Sequence, residues 1–173
     1  KNNFNNQPMA FSDPSIFEYD KQSKSFLAER GLIYFMMERY KALNYIREKL
    51  ENVIFQNPLN ELIKNKIFES SSVENPLKWN ELLANFTDSE YQKVIVEIWE
   101  DFDSLDISSD RILKDYLKQV KISFYTIQRD ELKIDLDMAM KTSEKEIAKS
   151  LMEAYLDIQK KLKKLEAEVY ASG

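Results

Sequence analysis

The chain has 173 residues, 43% of them apolar and 32% charged, and its 25 basic and 30 acidic side chains give a net charge of -5. It contains no histidine, no cysteine and two glycines, so it lacks the residues that most general-base, nucleophile, zinc and phosphate-loop sites require, and we expect no catalysis, no cofactor and no metal. Because the net charge repels a polyanion and no apolar run is long enough to cross a bilayer, we expect neither a nucleic-acid ligand nor a membrane span.

The composition also indicates the fold class. Two glycines and four prolines supply few turn residues, while Leu, Lys, Glu and Ile are abundant, and this balance favours long helices over a sheet. We predict an all-α chain with an N-terminal bundle of short helices, one long connecting helix and a C-terminal antiparallel helical hairpin. The lack of cysteine and of a leader-like start favours a cytoplasmic location.

Residues 1–25 have the composition of a linker. They are rich in Asn and Gln, include Pro8 and Pro14, and show no sustained apolar period, which is typical of a tether. An alternative remains open, in which scattered apolar side chains dock part of this segment on the body. Those side chains are Phe4, Phe11, Ile16, Phe17 and Tyr19.

Residues 26–122 read as the bundle. The apolar period predicts two short helices between Phe26 and Leu50. Pro58 and Pro76 each follow an Asn and suit a first helical turn, so two more helices are predicted at 58–69 and 76–86. Thr87 and Glu90 have the spacing of a capping box, which predicts a further helix at 88–102.

Residues 123–170 read as the hairpin. A helix free of Gly and Pro is predicted at 110–141 after a Ser109 cap, and a Ser143–Glu146 capping box opens the last helix. The last helix carries an apolar seam at alternating spacings of three and four, which is typical of a coiled coil. The seam consists of Ala148, Leu151, Tyr155, Ile158, Leu162, Leu165 and Val169, and its predicted partners are Tyr125, Leu132, Leu136 and Ala139.

Each hairpin helix also carries apolar residues away from the seam. We call Ile127, Ile134 and Met138 the α6 row, and Met152 and Leu156 the α7 row. An isolated hairpin leaves both rows outside, so they pack on the bundle, on a second copy or on another protein. We predict that the two rows bind a partner, with Lys160 and Lys163 as rim charges that affect the association rate more than the affinity.

An acidic stretch from Glu97 to Asp106 is the one place that suggests a metal ligand set. Its spacing lacks the glycine turn and the alternating ligands of a calcium loop. We therefore interpret it as a solvated helix face and expect no metal there.

Two segments resemble a known family, the C-terminal helicase-binding domain of bacterial DnaG-type primases. The stretch from Ala28 through Glu29 and Arg30 to Met37 is similar to the A-E-R-x-L-L-x-x-M-L opening of that domain, and Tyr45 and Ile46 continue the match. Further on, one segment resembles the family's S-D-x-x-I-x-D-Y-I-x-x-V pattern at the start of its long helix. It consists of Ser109, Asp110, Ile112, Asp115, Tyr116, Leu117 and Val120.

The resemblance implies a non-catalytic module of a DNA primase. In that family a helical bundle and a terminal hairpin dock on the N-terminal domain of the hexameric replicative helicase and couple primer synthesis to unwinding. Residues 1–25 would then link the module to an upstream catalytic region, and the parent protein would be a nucleotidyltransferase whose active site this fragment lacks. We expect a monomer in isolation. Gly31 departs from the pattern, because a better helix former is expected inside that helix.

Two alternatives belong to other classes. In the first, the chain is a self-associating structural protein, and the stripe from Ala148 to Val169 pairs between two copies. In the second, it is the N-terminal collar domain of the helicase itself. A mass measurement separates the first alternative from a monomeric adaptor, and a following nucleotide-binding domain would mark the second.

Overall fold

A computed structural model describes residues 23–105 and 109–168, and every regular element in these ranges is a helix. The all-α prediction is therefore confirmed, and so is the order of bundle, long helix and hairpin. The α-helices are α1 (Lys24–Glu38), α2 (Leu43–Lys49), α3 (Pro58–Ser70), α4 (Trp79–Ala84), α5 (Ser89–Asp103), α6 (Asp110–Lys141) and α7 (Lys145–Ala167), with a 3-10 turn at Tyr40–Ala42 before α2.

Polar caps set the start of three helices. The Ser23 hydroxyl accepts from the backbone N–H of Phe26, so α1 already includes two residues that the sequence assigned to the linker. The Asn57 side chain accepts from two N–H groups of α3, whose first residue is Pro58 as predicted. Ser109 accepts from Ile112 and opens α6, also as predicted. In each case the cap satisfies N–H groups that the helix leaves unpaired.

Three further helix starts were mispredicted, by one to three residues. Pro76 lies in a loop, because the Glu81 carboxylate accepts from the Lys78 N–H and α4 starts only after Lys78. The cap of α5 is Asp88 rather than Thr87, and its side chain accepts from the N–H of Glu90. In both helices a nearby carboxylate accepts one of the first backbone N–H groups, so the helix starts later than the sequence pattern predicts.

The third error concerns the turn of the hairpin. Ser143 has a positive φ of 59°, so it belongs to the tight turn and does not cap α7. The helix begins two residues later, at Lys145, with no side-chain cap. The predicted turn between the two long helices is confirmed, although its capping box is not.

Helix α1 is the centre of the bundle. It packs against α6, α3 and α5, and ten of its fifteen residues are buried. A helix that is apolar nearly all round belongs inside a core, in agreement with this position. The most deeply buried large side chains around it are Leu32, Ile33, Phe35, Met36, Leu43, Ile46, Ile63, Ile67, Leu82, Ile95 and Ile98.

Gly31 allows α1 and α6 to approach each other. A Cβ built on Gly31 would overlap the Tyr116 ring of α6, and that ring packs edge-on against Phe35 with 6.2 Å between ring centroids. The glycine at position 31 therefore has a packing reason. Glycine makes room for an aromatic ring, at a cost in helix propensity of about 1 kcal/mol.

Candidate docking surface on the hairpin

The predicted seam is packed within one chain. Helix α7 folds back along α6, and Leu136, Ala139 and Leu162 are buried between them. The Lys161 ammonium lies 5.3 Å from the Tyr125 ring centroid, so the polar edge of α7 also contacts α6. The last predicted seam residue, Val169, lies outside the described residues. The seam already has an intramolecular partner, so the self-association alternative would need another surface.

The α6 row and the α7 row are on the outside of the hairpin. Ile134 and Met138 are 62% and 59% exposed, Ile127 and Leu156 are near 45%, and Met152 is 40% exposed. The alternative in which the bundle covers both rows is therefore not what the structure shows. Exposed apolar side chains of this size form a surface that a binding partner can cover.

The α6 row continues the face of α6 that packs in the bundle. Leu113, Leu117 and Val120 are buried against the core, and Phe124 packs partly against it. The same face continues at spacings of three and four and is interrupted by a single charged residue. It consists of Leu113, Leu117, Val120, Phe124, Ile127, Glu131, Ile134 and Met138. One stripe therefore serves as core in its first half and as open surface in its second half.

The α7 row has mainly basic neighbours, whereas the neighbours of the α6 row are mixed in charge. At about 100° per residue, Asp130, Glu131 and Lys141 fall within about 60° of the α6 row, and Lys149 and Lys163 fall as close to the α7 row. Lys160 also lies beside the α7 row, and its only ion pair in the described chain, a 3.6 Å contact with Asp157, joins two mostly exposed side chains. A partner that covers both rows therefore binds more favourably if its surface beside the α7 row is acidic.

Two exposed apolar residues near the hairpin turn were not predicted from the sequence. Met140 is 61% exposed and Ile147 is 52% exposed, and neither belongs to the seam or to either row. Both residues fall outside the three-and-four spacing of the seam, and this could have indicated that they are exposed. They provide comparison positions of the same chemistry and similar exposure.

A buried polar cluster beneath the bundle surface was also not predicted from the sequence. The Glu29 carboxylate accepts from the Gln56 N–H at 2.6 Å and from the Asn60 side-chain amide at 2.9 Å. Burial raises the pKa of Glu29 to about 7, although these hydrogen bonds oppose the rise. Lys64 is also buried and donates to the Val53 carbonyl at 3.1 Å. The cluster ties the chain before α3 to α1, so its visible role is structural.

The acidic stretch is tied to α1. Arg30 is buried and lies 3.1 Å from Glu97 and 3.8 Å from Asp101, with its guanidinium 4.5 Å from the Phe26 ring centroid. No group of three or more acidic side chains in the described ranges is arranged to hold a metal ion. Within the same ranges, none of the helices has both the length and the apolar character that a bilayer crossing requires.

Comparisons with protein-family models, with curated proteins and with solved structures found no match for this chain.

Proposed function

We propose that this chain is a non-catalytic docking module that binds the N-terminal domain of a hexameric replicative helicase, as the helicase-binding domain of bacterial primases does. The observation that carries the proposal is the pair of exposed apolar rows on a hairpin whose own seam is already filled. The resemblance of the Ala28–Met37 and Ser109–Val120 segments to that family supplies the identity of the partner.

The physical argument for docking rests on the position of the rows. They stand on helices held rigidly by the seam, so a partner helix can pack on them with little loss of conformational freedom. Large apolar side chains near the centre of such a contact supply most of the binding free energy, and surrounding charges set the encounter rate. In this scheme Ile127, Ile134 and Met138 anchor one partner element.

The α7 row anchors a second partner element. Met152 and Leu156 supply the apolar contact on this side. Lys160 and Lys163 form its basic rim, and they attract an acidic partner surface during encounter.

The test is calorimetric titration of the chain into the hexameric helicase of the same organism. Ile134→Glu should weaken binding by about 2 kcal/mol, roughly thirtyfold, because a carboxylate would be desolvated in the contact. Met140→Glu is the matched control, since Met140 lies on the same helix with almost the same exposure but outside the row. It should bind like the parent chain, and circular dichroism should show equal helicity for both variants.

Three results would contradict the proposal. The first is no binding by the parent chain, and the second is equal loss of binding in both variants. The third is unfolding of Ile134→Glu, which would place Ile134 in the core. A concentration-dependent mass for the free chain would instead favour a self-associating protein that uses the same rows.

A further inference from the structure

We propose that the exposed side of α5, which we name the α5 face, binds a basic amphipathic helix of a partner protein. The α5 face consists of Val96, Trp99, Glu100 and Asp103. It lies in the bundle and shares no residue with the α6 row or the α7 row, so its binding does not require the docking function proposed above. An apolar pair, an open groove beside it and an excess of negative charge point to this partner.

The apolar pair of the α5 face is Val96 and Trp99. The opposite side of α5 is filled, because four of its apolar side chains are buried in the core. Val96 and Trp99 are exposed, and their spacing of three places them on neighbouring turns of one side of the helix. Trp is among the residues that supply most of the binding free energy at the centre of protein contacts. The pair is therefore a suitable anchor point for a partner.

A groove between α4 and α5 extends this apolar surface. It is open to solvent and has a volume of about 640 Å³. Leu83 and Ala84 of α4 and Val96 of α5 supply its apolar lining, and Glu97 and Glu100 supply carboxylates along it. Because the groove is open rather than enclosed, it suits a row of side chains on a helix laid beside α5 better than a small molecule.

The charge of α5 determines which kind of helix fits. Five of its side chains are acidic and one, Lys93, is basic, so the helix has a net charge of -4, against -5 for the whole chain. Arg30 compensates part of this charge through its ion pairs with Glu97 and Asp101. The other acidic side chains of α5 leave a negative field that attracts a basic partner.

Two acidic side chains that Arg30 does not compensate lie beside the apolar pair. At about 100° per residue, Glu100 and Asp103 fall within about 60° of Val96. Glu100 has no ion pair within residues 23–105 and 109–168. Asp103 accepts a 3.5 Å hydrogen bond from the Tyr34 hydroxyl, and burial together with the charges of Glu38 and Asp103 raises the pKa of Tyr34. The hydroxyl is therefore neutral and leaves the charge of Asp103 in place, so an apolar helix edged with Lys or Arg covers the α5 face most favourably.

The test uses a synthetic peptide as the partner. The peptide forms an amphipathic helix with Leu at spacings of three and four and Lys at the other positions, and the anisotropy of an attached fluorophore reports its binding to the full chain. We expect binding that weakens as salt is added. A peptide with Glu in place of Lys, and one with Ser in place of Leu, should each bind at least about tenfold more weakly.

Variants of the chain locate the binding site. Val96→Lys places a like charge in the apolar pair and should weaken binding of the Leu and Lys peptide about tenfold or more. Met140→Lys is its matched control, because it makes the same change of charge at an exposed apolar residue of the hairpin. Glu100→Lys should weaken binding about threefold or more. Its control is Asp135→Lys, at an exposed acidic residue of α6, and both controls should bind like the parent chain.

Several results would overturn the proposal. Absence of binding by the parent chain is one, and equal binding of the peptide that contains Ser in place of Leu is another, because charge alone would then explain the contact. Unchanged binding by Val96→Lys would place the peptide elsewhere, and equal losses in a variant and its control would show an effect of total charge. If circular dichroism shows that Val96→Lys is unfolded, Glu100→Lys decides, and unchanged binding there overturns the proposal. This experiment contains no helicase, so its failure is distinct from failure of the proposed function.

Discussion

The bundle buries apolar side chains on nearly every side of α1, whereas each hairpin helix buries one narrow seam and leaves a second apolar row exposed. The bundle also encloses charged groups with specific partners, such as Glu29 and Lys64. Charged side chains on the hairpin are mostly exposed. Composition therefore does not distinguish a core from an exposed apolar surface, because both regions are rich in Leu, Ile and Met. The two regions differ in how many faces of each helix pack against other elements.

The sharpest test of this difference is truncation of one large apolar residue in each region. Leu32→Ala in the bundle should lower the free energy of unfolding by about 2–5 kcal/mol, because the side chain is fully buried and leaves a cavity. Leu156→Ala on the α7 row should lower it by about 1 kcal/mol or less, since nearly half of that residue is exposed. Chemical denaturation measures both values. Similar losses would mean that the row is part of the core.

The second prediction concerns the buried carboxyl of Glu29. Its pKa is about 7 in the folded protein, against an ordinary value of 4.5, so the folded state binds more protons than the unfolded state between these pH values. Stability should therefore fall as pH rises from about 4.5 to 7, by about 3 kcal/mol from this group. Urea denaturation at several pH values checks the slope.

The control for that slope is Glu29→Gln, which cannot ionise. The difference in free energy of unfolding between the parent chain and this variant should depend on pH in the same window, with the parent losing stability as pH rises. A difference that stays constant between pH 4.5 and 7 would show that Glu29 titrates normally.

The third prediction tests the contact between α1 and α6. Gly31→Ala should destabilise the bundle by about 1–2 kcal/mol, because overlap with the Tyr116 ring outweighs the gain in helix propensity. In a Tyr116→Ala background the overlap is absent, so the same substitution should become neutral or stabilising. Thermal unfolding of the four chains forms the cycle. The same sign in both backgrounds would contradict this account of Gly31.

The smallest effect is expected at the rim of the hairpin. Lys160→Gln removes an ion pair between two mostly exposed side chains, so unfolding should not change measurably. If the chain docks on a helicase, the association rate should fall and its salt dependence should weaken, with little change in dissociation. Stopped-flow binding at two ionic strengths tests this, and a change confined to the dissociation rate would contradict the assignment to the rim.

Helix positions were predictable because their signals are local. The Ser109 cap, the Pro58 start and the seam of α7 each depend on neighbours within a few residues, and all three appear in the structure. The predicted starts at Pro76 and Thr87 were displaced by nearby acceptors, Glu81 and Asp88, whereas Ser143 lies in the turn with a positive φ. Local rules could not rank those competitors.

The helical class, the seam and the two apolar rows outside the seam could all be predicted from the amino-acid pattern, because they follow from the 3.6-residue period of a helix. The tertiary structure alone decided that the α6 row lies beyond the end of the bundle, that Gly31 makes room for Tyr116, and that Glu29 is buried against the chain before α3. These features join residues that are 27 or more positions apart. The period of one helix carries no information about which distant element covers it, so only packing could settle them.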